Sequence, residues 1–312
     1  MRKSGHKRLP EFIEAEYISA IETLLSHSFY PRYKIEICRI SQDEEAEFGY
    51  DGVVTSLVPF YIQFKRSIFH TAQFNGKTAK DRIRCGYHNK RGFFSFALHR
   101  NRNSKKYEQH NTLYALSKHA KAAYVAPLFY KRSKLSVLKS KIVRFPWYYR
   151  DIVIIDSKRR IHFTNVRIFE DSITIPPHNI INDRRPSHQY TFTKQGEICF
   201  HSEPIRLDIL KKNLYEFIRE IIDSTMPDPK FDDGRWIFKI LPELFLTNWK
   251  SREFKAMIKS YMTEIDLIPV SWHGNLQNLI LEKMDNVSRF LLAESILGNE
   301  FGIHQYLVKI RA

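Results

Sequence analysis

The alternation of apolar and polar residues divides the chain into a mixed part and a helical part. Residues 11–27 carry Phe12, Tyr17, Ile21, Leu24 and Leu25 at helical spacing, with acids on the other side. This predicts an amphipathic helix, and Pro10 stands at its start, where a missing N–H costs nothing. Residues 33–40 predict a strand with Tyr33, Ile35 and Ile37 on one face. After an acidic loop at 41–47 come two β-rich runs, 50–57 and 60–66, and Pro59 between them predicts a hairpin turn. Residues 67–89 are basic and irregular. An aromatic strand (93–99), a helix (107–120), a buried strand (122–130) and a basic helix (130–141, with Leu135, Val137 and Leu138 inward) follow.

Two further hairpins are predicted, 151–155 with 160–166 and 190–193 with 197–201, the second around Lys194-Gln195-Gly196. From Ile205 onward helical periodicity dominates, over 205–225, 252–265 and 275–297, with breaks at Pro227, Pro229 and Gly234. The pattern therefore predicts an α/β domain over residues 1–204 and a mostly α-helical C-terminal region over 205–312.

Charge changes this picture. The formal net charge is +16. Residues 61–160 hold 24 basic and 4 acidic residues, a net +20, so the remainder is net −4. An excess confined to one third of the chain points to one cationic face and a polyanionic partner. Three cysteines at wide spacing (Cys38, Cys85, Cys199) argue against a disulfide framework or a zinc site and make a reducing cytoplasm the expectation. No apolar run is long enough to span a bilayer, so no membrane partner is expected. Neither a P-loop nor a dinucleotide fingerprint is present.

The stretch with chemical content runs from Glu45 to Arg66. Along the second strand of the predicted hairpin Tyr61, Gln63 and Lys65 share a face, while Ile62 and Phe64 point to the other. A tight turn at Pro59 would set Asp51 opposite Gln63 and Lys65. A carboxylate, an amide oxygen and the Phe64 carbonyl would then suit a hard divalent cation such as Mg²⁺ or Mn²⁺. Lys65 beside it would orient a metal-bound water and offset developing charge. The competing reading makes Gln63 and Lys65 the exposed face of an edge strand and Asp51-Gly52 a turn. Apolar residues on both sides of the strand favour a central position instead.

The order Glu45 … Gly49-Tyr-Asp51-Gly … Gln63-Phe-Lys65 resembles the PD-(D/E)xK nuclease superfamily, closest to the Mrr-like variant with Gln-x-Lys. The resemblance covers roughly residues 11–130 and implies a restriction-endonuclease-like core of helix, three strands, helix and strand. It implies a metal-dependent endonuclease acting on DNA phosphodiesters in bacterial restriction or anti-phage defence, cytoplasmic, with Asp51, Gln63, Lys65 and Glu45 catalytic and Asp51 and Gln63 as metal ligands. Glu16 and Glu22 on the first helix could also reach such a site. The long insertion over 67–107 and the chain beyond residue 200 have no counterpart in the superfamily core.

The basic third interleaves cations with aromatics. Arg66, Lys90, Arg91, Arg100, Arg102, Lys105, Lys106, Lys131 and Arg132 are the candidate nucleic-acid contacts, with double-stranded DNA the expected partner. Phe93, Phe94 and Phe96 are expected mainly in the core. Cutting both strands of a duplex would call for a homodimer or a partner subunit. The alternatives are a non-catalytic nucleic-acid-binding subunit and a nuclease acting on RNA. His178, His188 and His201 would matter only if two of them met a carboxylate.

Overall fold

The computed structural model describes residues 6–28, 35–39, 54–101, 104, 106–144, 152–155, 161–164, 171–183, 188–201, 204–207, 212–225, 232–245, 247 and 249–311. In chain order these form β1 (Lys7–Arg8), α1 (Glu14–Ser28), β2 (Ile35–Cys38), β3 (Val54–Phe64), β4 (Ile68–His70), α2 (Lys77–Arg84), β5 (Phe93–Ala97), α3 (Glu108–Leu116), β6 (Lys121–Pro127) and α4 (Arg132–Arg144). Then come β7 (Ile152–Ile155), β8 (Ile161–Thr164), β9 (Ser172–Ile175), β10 (Gln189–Phe192), β11 (Ile198–Phe200), β12 (Ile205–Arg206), α5 (Leu214–Thr225), α6 (Arg235–Leu244) and α7 (Arg252–Glu264). A short α8 (Leu276–Asn278) runs into a π-turn, and α9 (Asn286–Phe301) leads to β13 (His304–Arg311).

The protein is mixed α/β, built on two sheets and a separate β7–β8 hairpin. The central sheet has the order β2-β13-β3-β6-β9. Within it β3 and β6 are parallel and every other pair is antiparallel. The second sheet, β1-β4-β5-β10-β11-β12, is antiparallel throughout.

β3 alternates as its sequence predicts, and both of its faces are buried. Phe60, Ile62 and Phe64, with Tyr306 and Val308 of β13, pack on α1, α4 and α5. Tyr61 and Leu307 on the opposite face join Phe94, Phe96, Tyr190 and Phe192 of the second sheet and the helices α6, α7 and α9. A strand apolar on both faces belongs inside a sheet, and β3 is the third of five. The edge-strand reading of Gln63 and Lys65 is thereby excluded.

Several expectations need correction. The hairpin predicted over 50–66 is instead a single strand, and Pro59 lies within it, opposite Leu307. Pairing to β6 starts only at Phe60. Pro59 thus falls where one edge of β3 has no ladder partner among the described residues, the place in which a strand tolerates proline. Its β-forming apolar neighbours, buried on both faces, outweigh its preference for turns. The basic stretch 67–89 is not irregular, because it holds β4 and α2. Val137 on α4 is exposed, while Leu135 and Leu138 are buried. The helix predicted over 205–225 forms only from Leu214, after β12.

The C-terminal region is not purely helical either. At the end of α9 the chain turns on Gly302, whose φ of 60° is the left-handed conformation glycine adopts without strain. It then enters β13, which sits between β2 and β3 in the middle of the central sheet. The boundary expected near residue 204 is crossed by the sheet itself. Cys85, just after α2, and Cys199, on β11, form a disulfide across a sequence separation of 114. The cysteine argument for a reducing compartment therefore lapses. No helix among the described residues is long and apolar enough to cross a membrane.

Candidate nucleic-acid interface

Gln63 and Lys65 stand at the carboxyl end of β3, beside the parallel β6. The Gln63 amide is buried, and its Nε2 donates to Gln109 Oε1 (3.0 Å) and to the Phe301 carbonyl (3.0 Å). Its Oε1 is buried without a hydrogen-bond partner among the described residues. The Lys65 N–H donates to the Val125 carbonyl (2.9 Å), and its ammonium lies 5.7 Å from the Tyr124 ring centroid. Burial pushes the Lys65 ammonium down to about 8, with the Glu14 carboxylate partly opposing. Burial also raises the Glu14 carboxyl, against the nearby charges of Lys65, His304 and Arg66. Glu14, on the first turn of α1, is the acid the structure brings to Lys65, and the sequence reading missed it.

The pairing of Asp51 with Gln63 rested on a turn at Pro59 that does not form. Val54 and Gln63 are nine positions apart on one extended strand, roughly 30 Å at about 3.3 Å per residue. Asp51 and Glu45 themselves lie outside the described residues. Among the described residues no cluster of three or more His, Cys, Asp or Glu side chains is arranged to hold a metal ion. Glu16 and Glu22 have structural partners. Glu16 takes both Arg132 amino groups (2.7 and 3.0 Å), and Glu22 accepts from Arg39 (3.2 Å) and the Tyr306 hydroxyl (2.9 Å).

Arg132 is therefore committed to the fold. Besides Glu16, its Nε donates to the Glu11 carbonyl (3.1 Å), locking the start of α4 to the segment before α1. It is withdrawn from the candidate phosphate contacts. Arg100 is half-buried. Burial raises the Tyr107 phenol, and the His188 backbone hydrogen bond and the Arg100 charge oppose it. Arg66, Lys90, Arg91, Lys106 and Lys131 are exposed, and Arg102 and Lys105 lie outside the described residues.

The structure gathers two of these cations, Arg91 and Lys131, with two others at one cleft of about 430 Å³. Lys134 comes from the first turns of α4 and Lys194 from the β10–β11 turn, while Arg91 precedes β5 and Lys131 follows β6. All four side chains are exposed. No carboxylate among the described residues pairs with any of them. The wall between them is aromatic. Phe69 and Tyr130 stack with centroids 5.4 Å apart and planes 12° off parallel, and Phe94 packs on Phe69 at 5.0 Å. Gly92 makes the close fit possible. Its φ is 75°, and a Cβ there would lie 2.4 Å from the His70 carbonyl and 2.8 Å from the Phe69 ring. Lys194 was legible only as part of a turn, and Phe69 only as an apolar residue in a basic stretch.

The histidines form a buried network. Asn179 O can only accept, so His110 donates from Nε2 (2.6 Å) and accepts the Tyr124 hydroxyl at Nδ1 (2.7 Å). His188 meets Asp183 (2.6 Å), and His178 meets the Tyr190 hydroxyl (2.8 Å). Thr191 Oγ1 accepts from Arg82 (3.0 Å) and shares a hydrogen bond with His201 Nε2 (2.7 Å), and His201 Nδ1 faces Asp81 at 3.7 Å. That Asp–His–Thr order invites comparison with a nucleophile relay. Thr191 is fully buried, however, with its hydroxyl engaged by Arg82, so no substrate can reach it.

Burial pushes His70, His110, His178 and His201 down to about 4. Between pH 6.5 and 4 the unfolded chain thus binds protons the folded chain does not. Stability is expected to fall as pH drops through this window, by up to about 1.4 kcal/mol per pH unit for each fully buried histidine. Urea midpoints at pH 7, 5.5 and 4.5 check this, and equal midpoints would contradict it. No family model, no curated protein and no solved structure matches the chain.

Proposed function

We propose that the protein binds nucleic acid through the cleft between β4, β5, the start of α4 and the β10–β11 turn. One observation carries this reading: Arg91, Lys131, Lys134 and Lys194 meet around a stacked Phe69–Tyr130 pair with no carboxylate paired to them among the described residues. Cations neutralise phosphates and release counterions, and aromatic faces take bases. The test is fluorescence anisotropy of a labelled oligonucleotide across a salt series. The affinity should fall steeply with salt; affinity that is absent, or insensitive to salt, would count against the reading.

A second reading keeps the resemblance to PD-(D/E)xK nucleases, with its Mg²⁺- or Mn²⁺-dependent cleavage of DNA or RNA and its role in bacterial defence. Two observations favour it. Gln63 Oε1 is a buried acceptor without a partner among the described residues, and burial lowers the neighbouring Lys65 ammonium, with Glu14 opposing. Gln63 Oε1 is the described oxygen donor that would serve a hard cation, which would activate water and stabilise phosphate charge. Lys65 would offset charge developing on the phosphate. On this reading Lys65→Ala lowers Mg²⁺-dependent plasmid nicking by about 10²–10³ and leaves binding nearly intact. No nicking by the unaltered protein, or full nicking by the variant, would sink it.

A further inference from the structure

The shape of the cleft says more than its charge does. Its aromatic wall is a pair of half-buried rings, Phe69 and Tyr130, rather than an extended flat face. Tyr130 is the C-terminal member, immediately before Lys131, and Lys134 follows one turn of α4 later. An aromatic face and two ammonium groups thus come from one short segment, with Lys194 and Arg91 contributed from the second sheet. The volume of about 430 Å³ lies in the range of small-ligand pockets. A duplex keeps its base faces covered by neighbouring base pairs, so only an unpaired base can lie on such a ring.

From this we infer that the cleft takes an unpaired nucleotide of a single strand, its base against Tyr130 and its flanking phosphates against Lys131, Lys134 and Lys194. The inference rests on the reading of the cleft as a nucleic-acid site and adds which form of nucleic acid fits. Lys131 just before α4, Lys134 in its first turn and Lys194 from the β10–β11 turn give the strand cations beside the ring, and Arg91 adds a fourth to the cleft lining. A free mononucleotide shares the stacking but lacks the second phosphate.

The experiment uses the full chain with a dT12 strand, a 12-base-pair duplex, dTMP and a dT12 strand carrying one 2-aminopurine. The strand is expected to bind at least about tenfold tighter than the duplex, and the 2-aminopurine fluorescence to be quenched on binding. Tyr130→Leu keeps the apolar packing and removes the aromatic face. It should weaken strand binding roughly fivefold to 150-fold and abolish the quench. Tyr130→Trp should keep both affinity and quench. Equal strand and duplex affinities would overturn the inference while leaving the binding reading in place. So would a quench that survives Tyr130→Leu, or displacement of the strand by dTMP at equal concentration. If neither strand nor duplex binds, the binding reading itself falls, and this inference with it.

Discussion

A chain cut after Ile303 is expected to lose its fold. The residues removed form β13, which lies between β2 and β3 and supplies the described ladder partner of β2. Tyr306, Leu307 and Val308 are all essentially buried. At roughly 1.5–3 kcal/mol for each fully buried large side chain, their loss alone is comparable with the total stability of an ordinary domain, about 5–15 kcal/mol. The ladder bonds of both neighbouring strands go with them, exposing two new sheet edges to aggregation. A fragment of residues 1–204 lacks the same strand and is expected to fail in the same way. Circular dichroism and thermal melting of both fragments check this. A cooperative melt within a few degrees of the full chain would show that β13 is dispensable.

The second large effect concerns the cleft. Reversing Arg91, Lys131, Lys134 and Lys194 together to Glu is expected to remove nucleic-acid binding, by at least about a thousandfold at low salt. Each phosphate contact on a single strand contributes about 0.7 to the slope of log affinity against log salt, so losing the three lysine contacts flattens that slope by about two. All four side chains are exposed and pair with no described carboxylate, so the melting temperature should change little. Reversing Lys77, Lys80, Lys106 and Lys118 together, four exposed lysines away from the cleft lining, makes the same change in net charge and should cost far less. Matching losses for the two fourfold variants would mean that net charge, rather than the cleft, drives binding.

Much of the local structure was legible because periodicity follows from burial. The face alternation of Tyr61, Gln63 and Lys65 against Ile62 and Phe64, the helix of α1 and the two hairpins all emerge from patterns within a few residues. What failed was non-local. Pro59 reads as a turn from its own preference, yet its β3 neighbours are held extended by β13, which arrives some 245 residues later in the register Leu307↔Pro59. The end of α9 reads as the end of a helical region because nothing in β13 announces a partner on the far side of the chain. The Cys85–Cys199 bond likewise needs α2 to lie against β11, which spacing alone does not reveal.

The candidate site was partly legible for the same reason. Runs such as Tyr130-Lys131-Arg132-Ser-Lys134 marked a basic aromatic segment. They did not show that Arg132 is held by Glu16, or that Lys194 joins from the second sheet. Composition identifies a cationic third of the chain, while the fold decides which cations face the same ligand and which are spent on ion pairs.

The most direct test is where a bound strand touches the protein. A dT12 strand carrying 5-iodouracil, photocrosslinked to the full chain and mapped by mass spectrometry, reports the aromatic residues against its bases. The account predicts crosslinks at Tyr130, with Phe69 as the neighbouring site, and their loss when the four cleft cations are reversed. Crosslinks confined to the helices α6–α9, or unchanged by that reversal, would contradict it.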